Sequence, residues 1–206
     1  MKGSLAFCFY SLILMRKRGG TMAELNLWEI GILDGIQEIF RSPFLDMLMP
    51  RITFLGDSGW FWILLALLLL CYRPTRKIGA TMGLALIFSL LVVNLTLKPL
   101  VARVRPYDTN TLIKLLVEAP LDFSFPSGHS QASFAAASAL FYWNKKSGAA
   151  ALVLAALIAF SRLYLYVHYP SDVLLGSLLG VLLGLLAYKI MKRLLKRRAG
   201  GKKTVS

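Results

Sequence analysis

The chain has 206 residues, 57% of them hydrophobic, and a formal net charge of +14; its mean hydropathy is +0.63. This composition excludes an ordinary soluble domain, which is nearer half apolar. Basic residues collect between and after apolar runs, so the charge favours a membrane protein over a nucleic-acid-binding one.

The first 21 residues leave three interpretations open. Residues 4–15 are apolar but short, and the basic residues 16–18 follow them. The segment is compatible with a signal-like sequence, with a first membrane helix, or with sequence upstream of a true start at Met22. We therefore treat residues 1–21 as an N-terminal extension, separate from the membrane domain.

Two weaker helical patterns come next along the chain. Residues 24–41 predict an amphipathic helix in the membrane interface, because apolar residues repeat on one helical face. Residues 43–55 are apolar but are interrupted by Pro50 and Arg51, so they predict a partly embedded helix. The apolar face of the first helix consists of Leu25, Trp28, Ile32, Ile36 and Ile39.

Five apolar runs then predict helices that cross the bilayer, which takes about 20 residues per helix. The runs are residues 59–72, 78–97, 130–143, 149–167 and 173–191. The connections 73–77 and 144–148, and the stretch after 191, carry only basic charges, which places them in the cytoplasm. The loop 98–128 and the loop after residue 167 then lie outside.

We expect an all-α integral membrane bundle of five to six transmembrane helices with an amphipathic N-terminal helix. Its membrane domain covers residues 22–191, and residues 192–206 form a basic cytoplasmic tail. Small residues at helical spacing predict a close-packing face on each of two helices. They are Gly176, Gly180 and Gly184 on one helix, and Ala132, Ala135, Ala136 and Ala139 on the other.

Three polar clusters fall on the predicted outer side, at residues 97–107, 125–130 and 161–172. Fixed cations with a hydroxyl suit a phosphate group, since Arg pairs with two phosphate oxygens and Lys adds a point charge. Gly128 allows close backbone approach, and the N-terminus of the helix that begins nearby attracts an anion. The clusters contribute Lys98, Arg105, Ser127, His129, Arg162, His168 and Asp172.

His168 and Asp172 form a candidate catalytic pair. Pro170 predicts a helix start, with His168 just before the helix and Asp172 in its first turn. A carboxylate that accepts the imidazole N–H, as in a catalytic triad, makes His168 a candidate nucleophile, with His129 as a second acid or base. Two histidines and distant cysteines do not supply three zinc ligands, so we expect no metal and no cofactor.

Other charges on this side receive no catalytic role from the sequence. Arg103 is interpreted as a surface or phosphate-steering residue. Lys114, Glu118 and Asp122 are interpreted as solvated charges of the outer loop rather than as specificity residues.

The motifs together resemble the three-part signature of the type 2 phosphatidic acid phosphatase superfamily, over about residues 40–190. Lys98 and, after six residues, Arg105-Pro106 match the first part, and residues 126–129, PSGH, match the second. Ser161-Arg162, five residues, His168, three residues and Asp172 match the third. The resemblance implies a metal-independent phosphatase with a helical membrane core.

The resemblance also implies a role for each matched residue. His168 attacks phosphorus and forms a phosphohistidine, which water hydrolyses. Asp172 orients His168, and His129 protonates the leaving oxygen. The phosphoryl oxygens are bound by Lys98, Arg105, Arg162, Ser127 and the Gly128 amide.

The substrate stays open among several lipids. The short chain most resembles the bacterial undecaprenyl diphosphate phosphatases, with the site on the extracytoplasmic face of a multi-pass protein in the bacterial cell membrane. Phosphatidylglycerol phosphate and phosphatidate are the alternative substrates. A lipid phosphotransferase and a non-enzymatic lipid carrier are alternative functions. The expected partners are the membrane lipid substrate and the bilayer, with no nucleic acid.

Overall fold

The computed structural model describes residues 22–201 as a succession of helices, and this part of the chain contains no strand. The all-α prediction is confirmed. The helices are α1 (Met22–Phe40), α2 (Pro43–Phe54), α3 (Trp60–Cys71), α4 (Arg76–Ser89), α5 (Lys98–Val101), α6 (Pro106–Thr109), α7 (Gly128–Trp143), α8 (Lys145–Tyr164) and α9 (Pro170–Gly201). A short 3₁₀ turn, Asp57–Gly59, links α2 to α3, and a second, Arg73–Thr75, links α3 to α4.

Three helical stretches are long and apolar enough to cross a bilayer: Arg73–Thr109, Lys145–Tyr164 and Pro170–Arg197. A pair of helices bent by 43°, Pro43–Phe54 and Asp57–Cys71, makes a fourth if it counts as one broken span. The predicted five to six spans also include α3 and α7, which have 12 and 16 residues. Both are shorter than the hydrocarbon core requires.

Helix α7 is the centre of the bundle and packs against α4, α8 and α9. Four of its five alanines are buried, and Ser133 accepts a 2.9 Å hydrogen bond from the indole of Trp62. Helix α9 approaches closely, because a Cβ at Gly180 would lie 2.4 Å from the carbonyl oxygen of Gln131. The predicted small-residue contact between these helices is therefore present.

The first helix forms as predicted, but it turns a polar face inward. Glu29 and Leu33 are its buried residues, whereas Leu25 and Ile39 of the predicted apolar face are 37% and 75% exposed. The reason is that the polar side chains of α1 find partners in the bundle. The apolar face remains available to a membrane interface.

The final helix passes the predicted start of the tail without a break. Helix α9 begins at Pro170, as predicted, and runs to Gly201. Residues 192–201 thus continue the last span as helix. Residues 1–21, the predicted extension, lie outside the described residues.

Candidate active site

The predicted site residues meet at one end of the bundle because each lies at or near the end of a helix. A π-helical segment, Leu90–Leu97, carries the chain from α4 to Lys98 at the start of α5. Arg105 caps α6, and Ser127 caps α7. Arg162 lies in the last turn of α8, and His168 and Asp172 flank the start of α9.

The three predicted phosphate-binding cations are buried at this end: Lys98, Arg105 and Arg162 are 8%, 3% and 3% exposed. Arg105 donates from Nη1 to the carbonyl oxygen of Val167 at 2.6 Å. Arg162 donates from Nη1 to the hydroxyl of Thr53 at 2.6 Å, while its Nε has no partner in the described part of the chain. Because buried charges are costly without compensation, this concentration of donors favours an anionic ligand.

The imidazole of His168 is fully enclosed and directed by Arg105. Its Nε2 lies 3.3 Å from Arg105 Nη1. Arginine can only donate, so this contact places the lone pair on Nε2 and the proton on Nδ1. Burial, together with the positive charges of Arg105 and Arg162, lowers the pKa of His168 well below its ordinary value of 6.5. His168 is therefore neutral at physiological pH, with Nε2 facing the cations.

Asp172 lies beside His168, but the predicted direct hydrogen bond is not formed. Its Oδ2 is 3.7 Å from His168 Nδ1, and that nitrogen has no hydrogen-bond partner among the described residues. Asp172 accepts instead from Ser124 Oγ at 2.5 Å, from the Tyr169 amide at 2.9 Å and from Arg103. The carboxylate is held by these donors close to the ring that it was expected to orient.

Arg103 is not a surface residue. It is 5% exposed, and its guanidinium binds Asp172 at 2.5 Å and forms a second ion pair with Glu29 of α1. It also lies 3.9 Å from the centre of the Tyr169 ring. The surface interpretation was wrong because the acidic partners, Glu29 and Asp172, are distant in the chain.

His129 has a carboxylate partner that the sequence analysis did not identify. Its Nε2 lies 2.7 Å from Asp57 Oδ1, in the turn that links α2 to α3. Gly56 leaves room for the ring, since a Cβ there would lie 2.7 Å from His129 Cδ2. The Gly-Asp pair at 56–57 is the only sequence signal, and a turn explains it equally well.

The PSGH segment brings the N-terminus of α7 to the cations. A Cβ at Gly128 would lie 3.5 Å from Asn94 Oδ1 and 3.8 Å from Lys98 Nζ, so the backbone is close to Lys98. The Ser127 hydroxyl caps α7 and lies 2.9 Å from Ser130 Oγ. Contact of Ser127 with phosphate stays a prediction.

Asp122 is not a simple solvated loop charge. Its carboxylate forms ion pairs with both Lys98 and Arg105, although its side chain is 53% exposed. Lys114 and Glu118 of the same loop are exposed, as predicted. The signal for Asp122 was absent because contacts across 24 and 17 residues are not visible in local sequence.

A cavity of about 690 Å³ opens beside these residues. Lys98, Asp122 and His129 line its polar end, and apolar residues of α3 and α4, such as Ile63, Leu67 and Leu86, line the rest. Cations and an imidazole thus lie at one end of the cavity, and apolar side chains lie at the other. This combination suits an anion that carries an apolar chain.

Comparisons with known proteins give consistent matches. The PAP2 superfamily model matches residues 78–196. An undecaprenyl-diphosphatase of Sulfolobus acidocaldarius is 33% identical over 129 residues, 61% of this chain and 62% of that protein. The undecaprenyl-diphosphatase BcrC of Bacillus subtilis is 33% identical over 67% of this chain and 70% of its own. The chain therefore spans less than two thirds of the Sulfolobus relative.

A solved structure is similar over nearly the whole chain. It is a transmembrane PAP2-type phosphatidylglycerolphosphate phosphatase from Bacillus subtilis, with 29% sequence identity and a TM-score of 0.71. The match covers 94% of this chain and 98% of that chain. Its extent includes the N-terminal helices that lie before the family match at residue 78.

Proposed function

The chain belongs to the PAP2 superfamily, and on that premise we propose that it is a membrane phosphatase that hydrolyses a lipid phosphate through a phosphohistidine. The observation that carries the proposal is the position of His168. Its Nε2 faces Arg105 at 3.3 Å, inside a group of buried cations, and the apolar cavity begins beside that group. A nucleophile, a phosphate site and space for a lipid tail are thus adjacent.

In the first step, Lys98, Arg105 and Arg162 bind the phosphoryl oxygens. They neutralise the charge that repels a nucleophile and stabilise the transition state. The lone pair of His168 Nε2 forms an N–P bond as the bond from phosphorus to the leaving oxygen breaks. His129 gives its proton to that oxygen, and the lipid leaves as an alcohol or, from a diphosphate, as a monophosphate.

In the second step, water attacks the phosphohistidine. Neutral His129 takes a proton from the water, the N–P bond breaks, and inorganic phosphate leaves. Asp57, 2.7 Å from His129 Nε2, supports the protonated ring in the first step and receives none of the transferred atoms. Asp172, near His168 Nδ1, supports the positive charge that develops on His168 during attack.

The proposed substrate is undecaprenyl diphosphate, which would yield undecaprenyl phosphate. Two curated relatives named for this activity, from Sulfolobus acidocaldarius and Bacillus subtilis, support it. By the positive-inside rule, the basic tail and connections are cytoplasmic, so the site lies on the extracytoplasmic face of the cell membrane. A long prenyl chain would remain among apolar side chains of the cavity and the bilayer.

The alternative substrate is phosphatidylglycerol phosphate. It is favoured by the solved structure, which is similar over 94% of this chain and is named for that activity. The site chemistry is shared, because both lipids present a terminal phosphate to the same cations. Transfer of the phosphoryl group to a lipid alcohol instead of water uses the same phosphohistidine.

The experiment is phosphate release by detergent-purified protein with EDTA present. Undecaprenyl diphosphate, phosphatidylglycerol phosphate and phosphatidate are offered in parallel to wild type, His168→Ala and the exposed-loop control Lys114→Ala. We expect release that persists in EDTA, disappears in His168→Ala and is unchanged in Lys114→Ala, with the preferred lipid identifying the substrate. No release from any lipid by folded wild type would contradict the hydrolase. Full activity in folded His168→Ala would contradict the phosphohistidine.

A further inference from the structure

The carboxylate of Asp122 lies on the cations that the proposed mechanism assigns to phosphate. Oδ2 pairs with Lys98 Nζ, and Oδ1 accepts from Arg105 Nη2 at 2.5 Å. The Asp122 carbonyl oxygen also accepts from Arg105 Nε at 2.7 Å. Backbone and side chain of one residue therefore engage Arg105, and the side chain bridges it to Lys98.

The loop holds the Asp122 backbone in place, while the side chain is half exposed to solvent. On one side, the Tyr107 hydroxyl donates to the Pro120 carbonyl oxygen at 2.6 Å. On the other, the Ser124 amide donates to the Arg103 carbonyl oxygen at 2.9 Å, and Ser124 Oγ donates to Asp172. Because the side chain is 53% exposed, a change of rotamer withdraws the carboxylate without unfolding the loop.

Asp122 is a charged competitor throughout the physiological pH range. Partial burial acts to raise the pKa of the Asp122 carboxyl, but the Lys98 ammonium and the Arg105 guanidinium hold this pKa at about 2. A ligand that needs both cations must therefore displace one negative charge and at least two charge-assisted contacts.

Anions differ in their capacity to displace it. A phosphate monoester, or the terminal group of a diphosphate, carries a charge of about −1.5 to −2 near neutral pH and three terminal oxygens. It matches the two contacts of Asp122 and has a further oxygen for Arg162, which lies in the same buried group. A phosphodiester headgroup has a single negative charge and two terminal oxygens, so it gains nothing over the carboxylate.

We propose that Asp122 is a specificity-determining residue that occupies the phosphate site and excludes monoanionic phosphodiester lipids, while dianionic phosphate monoesters or diphosphates displace it. The inference rests on the proposed phosphate site. It gives the exposed loop a definite function, since most phospholipids around the cavity mouth are phosphodiesters. Removal of the charge is expected to increase diester affinity, an effect that damage to the fold does not produce.

The test compares wild type with Asp122→Asn, which keeps the shape and removes the charge. The control is Glu118→Gln, which removes the same charge from an exposed position four residues away. Calorimetric titration of each detergent-purified protein with dihexanoyl phosphatidylglycerol, a soluble monoanionic diester, and with inorganic phosphate gives the two Kd values. We expect Asp122→Asn to bind the diester about tenfold more tightly than wild type, with a smaller gain for inorganic phosphate. Glu118→Gln should match wild type.

The outcomes separate this inference from the proposed function because binding is read without turnover. Equal diester affinity in wild type and Asp122→Asn overturns the inference and leaves the phosphatase proposal intact. Weaker binding of inorganic phosphate by Asp122→Asn also overturns it, since Asp122 would then support the cations rather than compete with the ligand. Absence of lipid hydrolysis by wild type overturns the proposed function, whereas the two diester Kd values still decide the role of Asp122.

Discussion

Arg103 and Asp172 form a buried ion pair, with 2.5 Å between Nη1 and Oδ1, and neither side chain is more than 3% exposed. This pair fixes the carboxylate of Asp172 near His168. Arg103 also forms an ion pair with a second buried carboxylate, that of Glu29. Glu29 Oε1 accepts a 2.6 Å hydrogen bond from the Ser171 amide. The first helix is thus connected through Arg103 to the residue that flanks His168, the proposed nucleophile.

We predict that Glu29→Gln lowers kcat more than it changes KM. Without the Glu29 charge, Arg103 loses one of its two anionic partners, and its hold on Asp172 changes, whereas Lys98 and Arg105 keep their contacts. A reduction of about tenfold in kcat is expected, with a lower melting temperature because a buried ion pair is broken. Steady-state kinetics and thermal unfolding of the purified protein measure both.

The control for this prediction is Glu38→Gln, which removes an exposed charge from the same helix. Glu29→Asp should recover part of kcat because it restores the charge on a shorter side chain. A proportional rise in KM with unchanged kcat would show that Glu29 acts on substrate binding instead.

The His129–Asp57 contact leads to a prediction that depends on the leaving group. Asp57→Asn removes the carboxylate from His129 Nε2, so the protonated ring that we propose as the general acid becomes less stable. Hydrolysis of a lipid phosphate should fall by about a hundredfold, within the range of general acid catalysis. Hydrolysis of p-nitrophenyl phosphate should fall much less, because p-nitrophenolate leaves without a proton.

The control is Asp108→Asn, which removes an exposed carboxylate elsewhere at this end of the bundle. It should leave both rates near wild type. An equal loss with both substrates in Asp57→Asn would assign Asp57 to binding or folding.

The contacts His129–Asp57 and Arg103–Glu29 mark the limit of what could be predicted from the sequence. Fixed motif spacing and positions near helix ends were enough to predict that five residues lie together: Lys98, Arg105, His129, Arg162 and His168. Asp57 and Glu29 were missed, because they meet His129 and Arg103 across 72 and 74 residues. Their position depends on how α1 and α2 fold against the bundle, which the amphipathic pattern of α1 does not predict.

Because the pKa of His168 is depressed, we predict that this proposed nucleophile stays neutral even at a pH well below neutral. Burial is the main cause, followed by the positive charges of Arg105 and Arg162. The chain has two histidines, so His129→Gln leaves His168 as the only one that titrates. Carbon-13 NMR of histidine-labelled His129→Gln, purified without a histidine tag, should give a midpoint clearly below the ordinary 6.5.

The lowered pKa of His168 also determines how the stability of the fold changes with pH. Near pH 6 the unfolded chain binds a proton at His168 that the folded protein does not, so stability should fall as the pH decreases through that range. Thermal unfolding of His129→Gln between about pH 5 and pH 8 checks this, with the double variant that also carries His168→Gln as the control. An NMR titration midpoint of His168 at or above the ordinary pKa of 6.5 would contradict the burial argument.

The cavity predicts that one substitution can reduce activity on a lipid substrate without reducing activity on a soluble one. Gly83 of α4 lines the cavity, and a Cβ there meets no atom within 4 Å. Gly83→Phe should therefore fold and fill the apolar part while leaving Lys98 and His129 in place. We expect kcat/KM for a long-chain lipid phosphate to fall about tenfold or more, because the tail loses its apolar contacts. The rate with p-nitrophenyl phosphate should stay near wild type.

Gly31→Phe is the control, since Gly31 of α1 also has open space around it and lies outside the cavity. An equal loss with both substrates would mean that the cavity does not hold the lipid tail.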